Sequence, residues 1–398
     1  MTKAPTILQV IPWLDSGGVE RGTVDIAAAI TSSGGKALVA AEAGRLLPEL
    51  EAVGGRLLPL KGLSKNPLRI LFSNAKAIER MIREEGVDLV HARSRAPAWS
   101  AYIAARRAGV PFVTTYHGAY SQKGRLKAFY NSVMAKGDIV IANSHYTARL
   151  VIGRNPDAEN RTMTIHRGVD MDLFDPQKIS DERIQALRSK WELDARPVMI
   201  LPSRLTRWKG QSFIIPVMGA LKKAIGPTFQ LLLIGDEQGR ESYVAELDRL
   251  IAEHDVADCV SRVGHCKDMP AAYALATMVI VPSQDAETFG RSAAEGLAMG
   301  KPTLVGDLGA QPEVVAPPMD VTPEQWIASV IAHDDAKGWQ EAIAQTLTMP
   351  EAKKQQVAPV ARNLIEACFS LKSMGQQTLA VYDQLLGCDL ADRYGAER

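Results

Sequence analysis

The feature that most constrains the fold of this 398-residue chain is a regular alternation of short apolar runs with longer amphipathic segments. The short runs are rich in β-branched residues, and each precedes a segment with helical periodicity. Repeated βα units of this kind form parallel sheets that are buried on both faces. The first series of predicted strands is Thr6 to Ile11, Lys36 to Ala40, Val87 to His91, Pro111 to Thr115, Asp138 to Ala142 and Thr162 to His166.

A second series of strands follows a polar stretch, so the pattern predicts two Rossmann-like sheets. Its strands are Val198 to Leu201, Phe229 to Ile234, Cys259 to Val263, Met278 to Val281 and Thr303 to Val305. From Thr322 onward we expect helices only, and a terminal helix that crosses back to the first domain. The predicted domains are 1–180, an acceptor-binding domain, 181–370, a donor-binding domain, and 371–398, the returning helical tail.

Composition narrows the class of protein. A hydrophobic content of 46% and a charged content of 23% are typical of globular proteins and exclude disorder and collagen-like repeats. Four scattered cysteines do not form a disulfide framework. No signal peptide is expected at the N-terminus, and no apolar run reaches the roughly 18 residues that cross a bilayer. We therefore expect a cytoplasmic protein.

The total charge of +1 conceals an asymmetry. Residues 1–180 contain 24 Lys+Arg and 16 Asp+Glu, whereas the remainder contains 22 and 29, so the two parts carry +8 and −7. A basic half predicts an anionic partner. Two segments mix cations with apolar and aromatic residues, as a helix on an anionic membrane does, although solvated helix faces are an equal alternative. They are Lys61 to Phe72 and Lys123 to Tyr130. No nucleic-acid-binding motif accompanies the charge.

Candidate ligand-binding residues follow the predicted strands, where parallel sheets bind their ligands. Gly17-Gly18 opens a helix after the first strand, and paired glycines there let backbone N–H groups approach a phosphate; an ordinary tight turn is an equal alternative. Arg204 and Lys209 lie in one loop of the second series and suit a diphosphate. A solvated basic loop is the alternative.

The most specific pattern is Glu287 to Glu295, in the sequence ETFGRSAAE after the strand Met278 to Val281. We expect a helix that begins near Phe289, with free N–H groups between the two glutamates. Two hydroxyl-binding carboxylates on either side of a helix N-terminus fit two sugar-like groups bridged by phosphate. Helix capping and a solvated face remain the alternative.

These residues resemble the E-x7-E region of retaining glycosyltransferases of family four, which have the GT-B fold. The resemblance extends over nearly the whole chain, because further motifs occur in family order: Gly17-Gly18, Thr115 to Gly118, Asn143-Ser144, Gly168 to Asp170, Arg204, Lys209-Gly210 and Ala298 to Pro302. The variants around Phe289-Gly290-Arg291 are most similar to bacterial enzymes of lipopolysaccharide or surface-polysaccharide synthesis.

The resemblance implies a role for each matching residue. Glu287 and His117 would contact the transferred sugar and form the catalytic pair. Glu295 would bind the ribose of the nucleotide. The remaining donor-binding residues would hold the diphosphate: Gly17, Gly18, Arg204, Lys209, Phe289 and Gly290. Two departures from the family pattern, Arg167 and Gly296, replace no charged contact.

The resemblance implies no cofactor and no metal; the donor would be a UDP- or GDP-sugar. Asp170-Met171-Asp172 has the form of a DxD metal motif, but it lies between the predicted domains, away from the phosphate loops. The stretch Gly296 to Lys301 imitates a P-loop, but its glycine spacing is too short and Pro302 occupies the Ser/Thr position.

We therefore expect a retaining hexosyltransferase that uses a nucleotide diphosphate sugar and a lipid-linked or polysaccharide acceptor, with attachment to the inner face of the cytoplasmic membrane left open. Three alternatives remain. A catalytically idle nucleotide-sugar-binding protein would keep the fold but lose site residues. An NAD-dependent oxidoreductase is disfavoured because no GxGxxG is present. A non-retaining GT-B enzyme is disfavoured by the E-x7-E spacing.

Overall fold

The structure is a computed structural model that describes residues 4–15, 17–61, 69–120, 124–322 and 325–396. The chain forms two compact units. The first comprises Met1–Gly168 and Leu371–Arg398, and the second is Val169–Ser370. Each unit has its own parallel sheet, as the alternating βα pattern predicts.

The first unit contains a seven-stranded parallel sheet of order β3-β2-β1-β4-β5-β6-β7. Residues that alternate along the first strand lie in different cores: Ile7 packs on one side of the sheet, and Leu8 on the other. Helices therefore cover both faces of this sheet. Its strands are β1 Thr6–Trp13, β2 Lys36–Glu42, β3 Arg56–Pro59, β4 Leu89–Ala92, β5 Phe112–Tyr116, β6 Ile139–Ala142 and β7 Thr162–Thr164.

The helices of the first unit come from both ends of the chain, which confirms the returning C-terminal helix. Tyr382 and Leu379 from the last helices are fully buried in the same core as Ile26 and Ile30. A π-helical turn, Arg69–Asn74, precedes the third helix. The α-helices are α1 Gly18–Ser32, α2 Leu47–Ala52, α3 Ala75–Glu85, α4 Arg95–Ala108, α5 Arg125–Ser132 and α6 His145–Arg154, with α15 Leu371–Leu386 and α16 Leu390–Ala396 at the C-terminal end.

The second unit contains a six-stranded parallel sheet of order β10-β9-β8-β11-β12-β13. Its strands are β8 Val198–Pro202, β9 Gln230–Ile234, β10 Val260–Gly264, β11 Met278–Val281, β12 Thr303–Gly306 and β13 Ala328–Ile331. Its α-helices are α7 Asp181–Lys190, α8 Gln211–Ile225, α9 Glu241–Glu253, α10 Met269–Leu275, α11 Arg291–Ala298, α12 Gln311–Val315, α13 Ala336–Leu347 and α14 Glu351–Phe369.

Two sequence-based expectations about organisation are wrong. The segment after Thr322 is not helical throughout, because β13 pairs with β12 at the edge of the second sheet. The units divide after Gly168 and not at residue 180. Val169 donates its N–H to the carbonyl of Phe369 at 2.7 Å, and Phe174 is buried in the core of the second unit.

In the part of the chain that the structure describes, we find no helix that is both long and apolar enough to cross a membrane.

Candidate functional site

Two loops at the carboxyl edge of the second sheet carry the predicted donor-binding residues. One leaves β8 after Pro202, and the other leaves β11 after Val281. The loops are tied together, since Gln284 donates its N–H to the carbonyl of Trp208 at 2.8 Å. Gly210 has a φ of 80°, and a side chain there would collide with the carbonyl of Pro282. Only glycine allows the first loop to pass this close to the second.

Glu287 lies at the centre of a polar cluster in these loops. Lys209 Nζ is 2.8 Å from Glu287 Oε2, and the two side chains are only 13% and 11% exposed. Ser283 Oγ and Gln311 Nε2 both donate to Glu287 Oε1, at 2.5 and 2.8 Å. The structure therefore brings together the predicted sugar-binding glutamate and the predicted phosphate-binding lysine.

The backbone of Glu287 is held by hydrogen bonds to the segment that follows the next strand, β12. Ala310 donates its N–H to the Glu287 carbonyl at 2.8 Å, and Glu287 forms an isolated parallel β-bridge with Gly309. Gly309 has a φ of 71°, and a side chain there would overlap the backbone of Glu287. Glu287 is thus held by its own loop, through Ser283, and by two segments distant in sequence, the loop after β8 and the segment after β12.

The two cations of the first loop differ in their surroundings. Lys209 Nζ lies 4.3 Å from the centre of the Trp208 ring, in addition to its ion pair with Glu287. The side chain of Arg204 is exposed, and its backbone carbonyl accepts a hydrogen bond from Gln211 Nε2 at 3.0 Å. Arg204 is therefore available to a ligand from solvent.

Glu295 is the second glutamate of the pattern, and its carboxylate is 14% exposed. Tyr273 donates its hydroxyl to Glu295 Oε2 at 2.9 Å, and Arg291 Nε is 3.4 Å from Glu295 Oε1. Burial raises the pKa of Glu295, against the opposing effects of Arg291 and Tyr273. Burial and the neighbouring Glu295 raise the pKa of Tyr273, so its phenol remains a donor.

The helix between the glutamates begins later than predicted. It begins at Arg291, because Gly290 has a φ of 106° and ends the preceding loop. Glu295 therefore lies just over one turn into α11 and not two. Phe289 is 4% exposed and packs against Phe369, with ring centres 6.1 Å apart. Its side chain belongs to the core, so only its backbone is left for a ligand.

The predicted residues of the first unit lie at the carboxyl edge of the first sheet. Gly17 precedes α1 with a φ of 150°, and a side chain at Gly18 would collide with the guanidinium of Arg167. Arg167 Nη2 is 3.0 Å from His117 Nδ1. Burial lowers the pKa of His117 well below its usual value, and the adjacent Arg167 lowers it further. His117 is thus a neutral imidazole.

A buried polar group lies beside this edge. His91 shares hydrogen bonds with Tyr382 of α15 at 2.7 Å and with Thr115 at 2.6 Å. Arg93 is 4% exposed below α1, near Gly22, and its Nε has no hydrogen-bond partner among the residues described. Burial lowers the pKa values of both His91 and Arg93.

The DxD sequence has a local structural use. Asp170 Oδ1 accepts the backbone N–H groups of Asp172 and Leu173, each at 3.0 Å, in a turn typical of aspartate. Asp172 Oδ1 is 2.7 Å from Lys178 Nζ. Neither carboxylate is grouped with the predicted donor-binding residues.

Several residues of the site were not predicted from the sequence. Ser283 is the second residue after β11 and was detectable by position, as a polar residue after a buried strand. Gln311 begins α12 and Tyr273 lies in α10, so their contacts with the glutamates depend on the tertiary fold. Arg167 was noted only as a departure from the family pattern, although it contacts His117.

Comparison with known proteins defines the class. The family described as Glycosyltransferase Family 4 matches residues 16–173, and the family Glycosyl transferases group 1 matches residues 183–363. A crystal structure of a glycosyltransferase from Rickettsia africae ESF-5 is 30% identical, with a TM-score of 0.87 over 96% of this chain and 99% of that one. The fold is therefore GT-B, and the chain belongs to the group 1 glycosyltransferases of family four.

Two further relatives differ in the ligands that their names give. The structure of Anabaena Alr3699/HepE in complex with UDP and glucose is 23% identical, with a TM-score of 0.79 over 96% of this chain and 100% of that one. The GDP-mannose-dependent alpha-(1-6)-phosphatidylinositol monomannoside mannosyltransferase of Mycolicibacterium smegmatis is 28% identical over 61% of this chain and 64% of that protein. The two family matches make this chain a sugar-transferring enzyme.

Proposed function

We propose that this glycosyltransferase transfers a hexose, with retention at the anomeric carbon, from a UDP- or GDP-sugar to a lipid-linked or polysaccharide acceptor in surface-polysaccharide or lipopolysaccharide synthesis. The second unit binds the donor, and the first binds the acceptor. The observation that carries the proposal is the nearly buried pair of Lys209 and Glu287 at the carboxyl edge of the second sheet.

The pair suits the junction between a sugar and a diphosphate. Lys209 supplies a point charge for a phosphate oxygen, and Glu287 supplies acceptors for sugar hydroxyls. The atoms that now bind each other, 2.8 Å apart, would be shared with the donor. Ser283 and Gln311 keep the Glu287 carboxylate in place while its other oxygen turns to the ligand.

The rest of the donor fits residues nearby in the same unit. Arg204 is exposed and adds a second cation for the diphosphate. The first N–H groups of α11 follow Gly290 and favour an anion. Glu295 supplies acceptors for the ribose hydroxyls, and Tyr273 fixes its orientation. In the first unit, the N-terminus of α1 at Gly17-Gly18 is an anion-binding group of its own, which the resemblance assigns to the diphosphate.

The proposed step is a front-face substitution. The acceptor oxygen bonds to the anomeric carbon on the face from which the diphosphate leaves. The bond between that carbon and the diphosphate oxygen breaks, and the departing oxygen takes the acceptor proton. Lys209 and Arg204 stabilise the charge that develops on the leaving group. In the first unit, His117 Nδ1 accepts a hydrogen bond from Arg167, so its neutral imidazole carries the proton on Nε2 and would donate it to a hydroxyl of the transferred sugar.

The first unit also suits an acceptor at an anionic membrane surface. On α5, Leu126 is 87% exposed and Phe129 is 65% exposed, next to Arg125 and Lys127. Apolar side chains flanked by cations bind the boundary of anionic lipids. Of the two basic segments, residues 62–68 and Lys123 lie outside the described residues. We place the reaction in the cytoplasm, on the inner membrane face.

Donor screening tests the proposal. Thermal unfolding is measured with GDP-mannose, UDP-glucose, UDP-galactose and UDP-N-acetylglucosamine, with EDTA present because we propose no metal. One donor should raise Tm, since a ligand that binds only the folded state stabilises it. The anomeric configuration of the product, read by NMR, then tests retention. Absence of any shift would contradict donor binding, and binding without transfer to lipid or glycan acceptors would favour an idle binding protein.

Sedimentation with vesicles tests the membrane part separately. We expect binding to anionic vesicles at low salt and release at high salt, because electrostatic attraction is screened. The variant L126S/F129S should bind more weakly than wild type. Absence of binding at low salt would exclude the membrane surface and leave the transfer reaction standing.

A further inference from the structure

A cavity of about 550 Å³ lies at the amino-terminal edge of the second sheet. Its walls come from residues 176–177, from the end of α10 and the segment before β11, from the turn between α11 and β12, and from residues 351–363 of α14. Glu287 and Lys209 follow the opposite, carboxyl ends of the strands. The cavity is therefore separate from the proposed donor site, although both belong to one unit.

The charged residues that line the cavity are mostly cationic. They are Lys301, Lys354 and Arg362, with Glu351 as the carboxylate in the lining. Lys354 is 12% exposed, and its Nζ is 3.4 Å from Glu351 Oε2. Glu351 is 70% exposed, so water solvates much of its charge while the lysine remains largely buried.

The other two cations are bonded mainly to backbone carbonyls, which do not cancel a full charge. Lys301 Nζ donates to the carbonyl of Ala274 at 2.8 Å. Arg362 donates to the carbonyls of Phe174, Ala298 and Met171, at 2.6, 2.9 and 2.9 Å, and its closest carboxylate oxygen, from Asp175, is 3.8 Å away. Burial lowers the pKa of Lys301, so a bound anion would favour its charged form.

The rest of the lining suits a small organic molecule better than a bare ion. Gln355 and Asn363 add side-chain amides, and Met299 adds an apolar surface. Pro359 also lines the cavity, and it lies inside α14 without an N–H for the carbonyl of Gln355, four residues before it.

We propose that this cavity is a second ligand site, which binds a small organic anion bearing phosphate or carboxylate groups. The cations supply the attraction, and the amides and the apolar wall give the shape. Binding here involves neither the nucleotide sugar nor the acceptor, so the site goes beyond the transfer reaction.

Calorimetric titration tests the site with two probes, inorganic pyrophosphate for phosphate groups and citrate for carboxylates. Lys354→Gln and Gln355→Glu alter the lining, and each has a neighbour on α14 outside the lining that gives the same change in net charge: Lys353→Gln and Gln356→Glu. We expect one or both probes to bind, with an affinity at least about 10-fold lower in the two lining variants. The two neighbouring variants should change affinity less than about twofold.

Lys209→Ala separates this site from the donor site. The proposal predicts that citrate binds this variant as it binds wild type. Pyrophosphate should keep the part of its binding that the lining variants remove, even where the donor loops lose theirs. The proposal is overturned if neither probe binds, if lining and neighbouring variants lose affinity equally, or if Lys209→Ala abolishes binding. The last outcome would place the anion at the donor loops and would support the proposed transfer function. Calorimetry measures binding and needs no turnover. A result that excludes the cavity as a ligand site therefore does not count against the proposed transfer reaction.

Discussion

The carboxyl edges of the two sheets present polar groups of different character. In the second unit, Glu287 and Glu295 are each held by neutral donors and approached by a cation. In the first unit, the corresponding groups are the imidazoles of His91 and His117 and the buried guanidinium of Arg93. One edge therefore offers anchored carboxylates, and the other offers cations and neutral imidazoles.

The edge with carboxylates is suited to bind sugar hydroxyls, whereas the edge with cations is suited to bind anions. Anchored carboxylates accept hydrogen bonds from a sugar without rearranging, which preorganises a donor site. The positive edge suits an anionic partner, in agreement with the +8 that residues 1–180 carry. Burial lowers the pKa of His117 at the first edge and raises the pKa of Glu295 at the second. A fall in pH should therefore make the contribution of His117 to the free energy of unfolding less favourable and that of Glu295 more favourable.

The largest expected effect on stability comes from removing Lys209, the cation that pairs with Glu287 at the edge of the second sheet. Lys209→Ala should lower the free energy of unfolding by about 3 kcal/mol, because it leaves the nearly buried charge of Glu287 without its cation. It should also weaken binding of a nucleoside diphosphate. Denaturant unfolding and calorimetry measure the two effects. Lys223→Ala, at an exposed position of α8, should change the free energy of unfolding by less than about 0.5 kcal/mol.

The double variant K209A/E287Q separates charge from contact. Removing the uncompensated carboxylate should restore most of the stability but not the affinity for diphosphate. If the double variant is no more stable than Lys209→Ala, the ion pair is not what stabilises these loops.

The next effect is a loss of stability in acid, caused by the buried histidines of the first unit. The pKa values of His91 and His117 lie below the unfolded value of about 6.5, so below that pH the unfolded chain binds protons that the folded chain does not. The free energy of unfolding should fall as pH drops from about 6.5 to 5, by at most about 1.4 kcal/mol per pH unit for each histidine. His117→Gln should flatten this slope, and His265→Gln, at an exposed site, should not. Equal slopes in the three proteins would contradict the assignment.

A smaller effect of opposite sign is expected at Glu295. Its raised pKa means that the folded chain binds the proton more tightly than the unfolded chain, so stability falls as pH rises through the unfolded and then the folded pKa. Glu295→Gln should therefore be about 1 kcal/mol more stable than wild type at pH 7 and no more stable near pH 4. Thermal unfolding at both pH values, with the exposed Glu366→Gln as control, measures the gap. A gap that does not depend on pH would refute the explanation.

The fold was largely predictable from the sequence, because strands and helices are marked by patterns of apolar residues within short segments. Most strands were predicted within about two residues, since each is a short apolar run followed by an amphipathic helix. Two of the four edge strands were missed: β3 and β13 are short and half exposed, so they lack the apolar run that marks a buried strand. Their pairing depends on the neighbouring strands β2 and β12.

The candidate site was predictable only in part. Glu287, Lys209 and Glu295 lie in recognisable loops, and the structure brings the first two together. The anchors Gln311 and Tyr273 were not predictable, because each reaches its glutamate from more than 20 residues away in sequence. The start of α11 was misplaced by two residues, because the positive φ of Gly290 is not visible in a hydrophobic pattern.

The most direct test of the central claim is the division of labour between Glu287 and Lys209. In Glu287→Gln, nucleoside diphosphate affinity should stay within about threefold of wild type, since Lys209 remains free to bind phosphate, while turnover should fall at least about 100-fold. Calorimetry with the nucleoside diphosphate and steady-state transfer rates provide the two numbers. A variant that loses diphosphate affinity and turnover equally, or that keeps full turnover, would contradict the role of Glu287 as the sugar-binding group.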